Sequence, residues 1–192
     1  MKGKDIKPHI GIFGRRNNGK SSIINILVGQ EVAIVSDQPG TTTDPVKKSV
    51  EIFGIGPAII VDTAGIDDTG ELGLKRVNST FQIISTVDMA VLVIAENVFS
   101  NYEKDLIKEF KLNNIPFIIV HNKSDIQKLS PILKDEIDNK YDAEILDFST
   151  KDKDGRDLLI NFIKNKMPEN AYRKPSLLKG IIKEKDIVLF IT

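Results

Sequence analysis

The hydrophobic positions of this chain form short continuous runs that alternate with longer amphipathic stretches. Residues 58–61 read Ala-Ile-Ile-Val and residues 117–120 read Phe-Ile-Ile-Val, so both segments are apolar on consecutive positions. Such runs are typical of parallel strands that helices cover on both faces. The alternation predicts an α/β fold with three layers, in which helices flank a mostly parallel, doubly wound, six-stranded sheet. The predicted strands are 9–13, 46–52, 58–62, 89–95, 116–121 and 144–148, and the predicted helices are 20–28, 72–85, 102–112, 131–140 and 155–166.

Composition narrows the class of protein. The 192 residues include 27 basic and 27 acidic side chains, which disfavours the single-sign field of a nucleic-acid or membrane-surface protein. The balance disfavours RNA binding as a primary role but leaves room for a local basic patch, and we expect no membrane partner. The chain has no cysteine, so it offers no disulfide and no thiolate ligand for an iron–sulfur cluster. Its first eight residues are polar and lack the apolar core of a signal peptide, and we expect a cytoplasmic protein.

A glycine-containing motif lies between the first predicted strand and the first predicted helix. Residues 14–21 read Gly-Arg-Arg-Asn-Asn-Gly-Lys-Ser and fit G-x-x-x-x-G-K-S/T. In this motif backbone N–H groups converge on phosphate oxygens, the lysine reaches the β- and γ-phosphates, and the hydroxyl binds Mg²⁺. A plain strand-to-helix turn is the alternative. The motif predicts a nucleotide-binding set made of Asn17, Asn18, Gly19, Lys20, Ser21 and Ser22, with Ser21 on Mg²⁺.

Two further segments suit the triphosphate. Residues 62–65 read Asp-Thr-Ala-Gly at the end of a predicted strand, where Asp62 would act on Mg²⁺ and the Gly65 N–H would face the γ-phosphate. Residues 35–44 form a polar segment broken by glycine and proline, which suits a switch loop. Among its three adjacent threonines we favour Thr42 as the residue that closes on Mg²⁺ and the γ-phosphate. The predicted catalytic residues in these motifs are Lys20, Thr42 and Gly65.

A third motif indicates the base. Residues 122–125 read Asn-Lys-Ser-Asp after an apolar strand. The Asp125 carboxylate can accept hydrogen bonds from guanine N1–H and the N2 amine, whereas adenine presents no such pair. A site built on such bonds can discriminate by about 10⁴–10⁵-fold. Asn122 would join the loop to the base, and the Lys123 stem would cover one ring face. The strand at 144–148 leads to a weaker guanine loop, in which the predicted nucleotide-binding residues are Ser149 and Thr150.

These motifs, in this order, resemble the P-loop GTPases with a Ras-like G domain. Gly-Thr-Thr-Thr-Asp at 40–44 and Asp-Thr-Ala-Gly-Ile at 62–66 resemble the group around the GTPases MnmE and Der, although Thr43 replaces its usual arginine. Longer strings at 14–22, 29–37, 40–45 and 62–73 resemble the HydF family of FeFe-hydrogenase maturation GTPases. The resemblance covers essentially residues 8–166. Thr150 departs from the Ser-Ala-Lys that GTPases usually carry at 149–151.

The resemblance implies a Mg²⁺-dependent, K⁺-stimulated GTPase. Ras-like enzymes orient the attacking water with a glutamine, but this chain has Ile66 at that position. In the MnmE-like group a P-loop asparagine binds K⁺, which stabilises charge between the phosphates, and Asn17 matches that asparagine. The water-orienting residue is unassigned. Arg15 and Arg16 could steer phosphate, but we favour solvated side chains for both, and we interpret His9 and His121 as structural.

The resemblance to HydF also implies partners and further domains. The partners would be the radical enzymes HydE and HydG and the FeFe hydrogenase, and a homodimer is left open. We expect a GTP-binding domain over 1–168, followed over 169–192 by a linker and the start of a dimerisation domain. An extra edge strand at 186–191 is the alternative to a following domain. Two other functions stay open, namely a nucleotide-gated interaction module with negligible turnover and an RNA-linked GTPase like MnmE or Der.

Overall fold

A computed structural model describes residues 7–29, 37–38, 46–63, 82–152 and 154–171. The described strands are β1 His9–Phe13, β2 Asp37–Gln38, β3 Val46–Ile52, β4 Gly56–Asp62, β5 Met89–Ala95, β6 Phe117–Asn122 and β7 Ile145–Asp147. The described helices are α1 Lys20–Val28, α2 Asn101–Leu112, α3 Pro131–Tyr141 and α4 Gly155–Lys166, followed by a 3₁₀ turn at Glu169–Ala171. Residues 82–84 are also helical, and the rest of the helix predicted at 72–85 lies almost wholly outside the described residues.

The strands form one sheet in the order β2-β3-β4-β1-β5-β6-β7. Strand β1 pairs in parallel with β4 and β5, and β6 and β7 continue the parallel half. Strand β3 runs antiparallel to both β4 and β2. This arrangement confirms the predicted α/β class with a mostly parallel sheet. Strand β2 adds a seventh strand to the six that the sequence predicts. It was not predicted because two residues are too few to produce a hydrophobic pattern.

Both faces of the sheet are buried, which explains the continuous apolar runs. In β5, Met89, Val91 and Val93 join one core cluster with residues of α1 and α4. Their neighbours Ala90, Leu92 and Ile94 join the second cluster with residues of α2 and α3. Successive side chains of a strand point to opposite faces, so each run serves two cores. None of the helices in the described ranges is both long and apolar enough to cross a lipid bilayer.

The boundary predicted at residue 168 stays a prediction. Met167 and Ala171 are buried against the cluster that contains α1 and α4, so the ordered chain continues past α4. The strand-like run at 186–191 lies outside the described residues.

Candidate nucleotide-binding site

The predicted motifs meet at the carboxyl ends of the parallel strands, where α/β folds bind their ligands. The loop after β1 leads into α1, and Asp62 is the last residue of the neighbouring strand β4. Between them lies an open cleft of about 410 Å³, and the residues that line it are Arg16, Asn17, Gly19, Lys20, Ser21, Asp62 and Thr63. The structure therefore brings the first two phosphate motifs together. Ser22 is exposed one residue further along α1 and does not line this cleft.

The phosphate loop contains two positions that only glycine can occupy. Gly14 has φ +138°, and a Cβ there would collide with the carbonyl oxygen of Val93. Gly19 has φ +89°, and a Cβ there would collide with the side-chain nitrogen of Asn122. Asn17 also has a positive φ, 63°, a conformation that asparagine tolerates better than most residues. The backbone can therefore curl tightly between β1 and the first turn of α1.

Lys20 is folded back into this loop. Its side chain is buried, and Nζ donates hydrogen bonds to the carbonyl oxygens of Gly14 at 2.9 Å and Arg15 at 2.8 Å. These bonds fix an ammonium group beside the N-terminus of α1, whose free N–H groups favour anions. Cation and helix terminus together suit the phosphates of a nucleotide.

Two of the three residues predicted to bind Mg²⁺, Ser21 and Asp62, lie in the described part of the chain, and their positions suit that role. Ser21 and Asp62 line the same cleft and offer a hydroxyl and a carboxylate, the oxygen ligands that Mg²⁺ prefers. Burial raises the pKa of Asp62, and the nearby charges of Lys20 and Lys48 partly offset that rise. A divalent cation held nearby would favour the ionised carboxylate. Thr42 and Gly65 lie outside the described residues, so their roles stay predictions.

The base motif is joined directly to the phosphate loop. Asn122 Nδ2 donates to the carbonyl oxygen of Asn18 at 2.9 Å, and Asn18 Nδ2 donates to the carbonyl oxygen of Val93 at 2.9 Å. Asn122 Oδ1 is buried and accepts no hydrogen bond from any residue that the structure describes. A buried polar atom of this kind is unusual in a folded core and points to a ligand site.

Asp125 is held by the second guanine loop. Ser149 Oγ donates to Oδ1 at 2.8 Å, and Lys151 Nζ donates to Oδ2 at 2.6 Å. The hydrogen bond from Lys151, and then that from Ser149, keep the pKa of Asp125 below its usual value. The carboxylate is thus ionised at neutral pH, which a hydrogen-bond acceptor for guanine requires. Beside this pair lie Lys123, with φ 63°, and the half-buried Thr150.

The interpretation of Arg15 as solvated was wrong. Its guanidinium pairs with Glu103, a fully buried residue on α2, with Nε at 2.8 Å from Oε1. The available signal was the Ser100-x-x-Glu103 spacing of a helix capping box, which marks Glu103 as a residue with partners. Arg16 is exposed, as expected, although it lines the phosphate cleft.

The two histidines occupy structural positions. His121 is fully buried, and its Nε2 accepts a hydrogen bond from the Asn97 N–H at 3.3 Å. Its Nδ1 therefore carries the proton and donates to Asp147 Oδ1 at 2.8 Å. The backbone N–H of His9 donates to Asp88 Oδ2 at 2.9 Å. Neither histidine lines the phosphate cleft.

A phosphate loop, an oxygen ligand set for Mg²⁺ and a carboxylate placed for guanine together define a P-loop GTPase. Residues 9–123 match the family described as "50S ribosome-binding GTPase", and the chain belongs to that family. It is accordingly a GTPase, an enzyme that binds GTP and hydrolyses it to GDP and phosphate.

Among curated proteins the chain is similar to the tRNA modification GTPase MnmE of several bacteria. Identity with the protein of Hydrogenovibrio crunogenus is 36% over 160 residues, covering 81% of this chain and 34% of that protein. Identity with the protein of Coxiella burnetii is 37% over 158 residues, covering 80% of this chain and 34% of that protein. The chain thus spans about a third of the length of these relatives.

Solved structures of GTPases are similar to this chain as well. Era of Aquifex aeolicus bound to GDP and AlF₄⁻ superposes with a TM-score of 0.66 and 30% identity, covering 84% of this chain and 57% of that one. Era in complex with MgGDPNP and part of 16S ribosomal RNA gives a TM-score of 0.66 and 29% identity, with the same coverage of 84% and 57%. The G domain of the T. maritima iron transporter FeoB, at 16% identity and a TM-score of 0.62, covers 84% of this chain and 99% of that one and supports the fold alone.

Proposed function

We propose that this domain is a K⁺-stimulated GTP switch of the MnmE type, and that it regulates a larger protein acting on RNA. The observation that carries the proposal is the position of Asn17, which lines the phosphate cleft beside Lys20 and Ser21. The similarity to MnmE over about four-fifths of this chain supports the same choice. We further propose that it acts as one domain among several, with the domain boundary near residue 168, which stays a prediction.

Each described motif has a part in this function. Lys20 and the N–H groups at the start of α1 bind the phosphates, and Asp125 selects guanine. Ser21 and Asp62 would hold Mg²⁺, which when bound neutralises charge on the β- and γ-phosphates. We propose that Thr42 closes on the Mg²⁺ and the γ-phosphate from the switch segment, and that the Gly65 N–H faces the γ-phosphate.

K⁺ would supply positive charge in place of an arginine finger. The Asn17 side chain offers a neutral amide oxygen, a ligand type that K⁺ accepts, in the cleft that would hold the triphosphate. A cation at this position would stabilise the charge that develops as the γ-phosphate leaves. Asn17 has a positive φ of 63° within the curled loop and lines the cleft.

The experiment compares single-turnover GTP hydrolysis with Mg²⁺ in KCl and in NaCl at equal ionic strength. We expect K⁺ to raise the rate, and we expect Asn17→Ala to abolish that stimulation. Asn114→Ala is the matched control, because Asn114 also has a positive φ, 53°, but is exposed in the turn after α2. Equal rates in the two salts would exclude the K⁺ mechanism. A negligible rate in both, with tight GTP binding, would favour an interaction module whose turnover is incidental.

The HydF family is the second candidate. It is favoured by the strings at 14–22, 29–37, 40–45 and 62–73, which are longer than the motifs common to all GTPases. Its partners would be HydE, HydG and the hydrogenase, with a homodimer as one further outcome. The two candidates differ in what the GTP-loaded protein retains. Retention of tRNA that weakens steeply between 50 and 200 mM salt would support the MnmE type. Retention of HydE or HydG, without RNA, would support the HydF type.

A further inference from the structure

We infer that Arg15 and Glu103 are a positioning pair, through which helix α2 holds the phosphate loop in its nucleotide-binding shape. The pair joins the second residue of the loop to the first turn of a helix that contributes no residue to the phosphate cleft. The pair acts on GTP binding and hydrolysis as such, whether or not K⁺ or RNA is involved.

The pair has the geometry of a strong, directional contact. Arg15 Nε lies 2.8 Å from Glu103 Oε1, and Arg15 Nη2 lies 3.2 Å from Oε2, so the guanidinium meets the carboxylate with two nitrogens. Arg15 Nη2 also donates to Ser100 Oγ at 2.6 Å, and the guanidinium lies 5.1 Å from the ring centre of Tyr102. Lysine has no planar fork and cannot reproduce this set of contacts.

Burial fixes the Glu103 carboxylate beside the guanidinium of Arg15. Its side chain is fully inaccessible to solvent, while 28% of the Arg15 side chain remains exposed. Oε2 also accepts the Ser100 N–H at 2.8 Å, and so closes the capping box at the start of α2. A buried carboxylate must be paired, because an unpaired charge in the interior is strongly destabilising. The first turn of α2 and the side chain of Arg15 are therefore fixed to each other.

Arg15 also shapes the nucleotide site through its backbone. The Arg15 carbonyl oxygen accepts the hydrogen bond from Lys20 Nζ at 2.8 Å, so the residue whose side chain Glu103 holds also orients the phosphate-binding lysine. Arg16 and Asn17, the next two residues, line the cleft. Arg15 itself does not line it, so its effect on the nucleotide is through the loop.

The test uses Arg15→Lys, Glu103→Gln and the double variant Arg15→Met/Glu103→Leu. We expect each single variant to weaken GDP binding and slow hydrolysis by about 10- to 100-fold, as displacement of a positioning group does. The double variant removes both charges together, so we expect it to recover much of the lost stability, as apolar replacement of a buried ion pair often does. Its nucleotide defect should nevertheless remain.

A destabilised control separates positioning from folding. Ile137→Val removes one methyl group from the fully buried face of α3, and we expect a lower Tm with unchanged GDP affinity and kcat. The measurements are melting curves, GDP titration, and kcat and KM for GTP. Folded single variants that bind and hydrolyse GTP like the parent protein would overturn the inference. So would a double variant whose GDP affinity returns together with its stability. If the Arg15 and Glu103 variants show the expected defects but the parent protein shows no K⁺ stimulation, the result would count only against the proposed function.

Discussion

Replacing Phe110 by alanine is expected to remove a large part of the stability of this domain. Phe110 on α2 is fully buried, and its ring centre lies 5.0 Å from that of Phe13 and 5.5 Å from that of Phe117. Truncation of a buried phenylalanine to alanine costs about 3–5 kcal/mol, and domains of this size are stable by about 5–15 kcal/mol. The variant should thus lose between a fifth and the whole of its free energy of unfolding, by these estimates.

Nucleotide should offset this loss. A ligand at a thousand times its dissociation constant stabilises the native state by about 4 kcal/mol. Phe110 belongs to the core cluster with residues of α2 and α3 and does not line the phosphate cleft, so GDP with Mg²⁺ should still bind the folded fraction. We therefore expect saturating GDP to return Phe110→Ala close to the stability of the nucleotide-free parent.

The assay is urea unfolding followed by circular dichroism, with and without Mg²⁺ and GDP. The matched control is Phe53→Ala, the same chemical change at a phenylalanine that is 78% exposed, and its stability should change by less than about 0.5 kcal/mol. A loss below about 1 kcal/mol for Phe110→Ala, or a loss equal to that of the control, would refute the assigned packing.

Two further substitutions test the site. Asp125→Asn should reduce GTP binding by several orders of magnitude and favour xanthosine triphosphate. The reason is that the asparagine amide can accept a hydrogen bond from N1–H and donate one to the C2 oxygen of xanthine. Competition titration of the two nucleotides measures this preference. Retained preference for guanine would contradict the role of Asp125. Gly14→Ala should weaken GDP binding at least 10-fold and lower the Tm, because its Cβ would meet the Val93 carbonyl. Gly56→Ala is the control, with φ +98° but open space around the added Cβ, and there only a modest fall in Tm is expected.

The sequence predicted those parts of the site whose chemistry depends only on a few neighbouring residues. Lys20 and Asp125 stand at fixed places in short motifs, and each motif follows an apolar strand. A parallel sheet then aligns the ends of those strands, so the motifs meet without any long-range detail having to be known. The fold class was predictable for a similar reason, because both faces of each central strand are buried.

The contacts that escaped prediction depend on distant pairs. Arg15 reads as a surface residue in the sequence, because its partner Glu103 lies 88 positions away and belongs to a helix with its own periodic pattern. Strand β2 exists through its antiparallel backbone pairing with β3, in which Asp37 is in register with Lys48. The role of Thr42 was inferred from the polar, switch-like segment around it, which lies outside the described residues, and it stays a prediction.

The place of β1 in the sheet has a consequence for how the protein is made. This strand is synthesised before the other strands that the structure describes, yet its partners come much later, since His9 pairs with Ile59 and Ile10 with Met89. Chains grow from the N-terminus, and parallel pairing must wait until the intervening loop can close. Until β5 has left the ribosome, the apolar segment His9–Phe13 has an unpaired edge that invites association with other chains. A chaperone is therefore most useful while the residues between β1 and β5 are being synthesised, before the sheet that aligns the nucleotide-binding motifs can form.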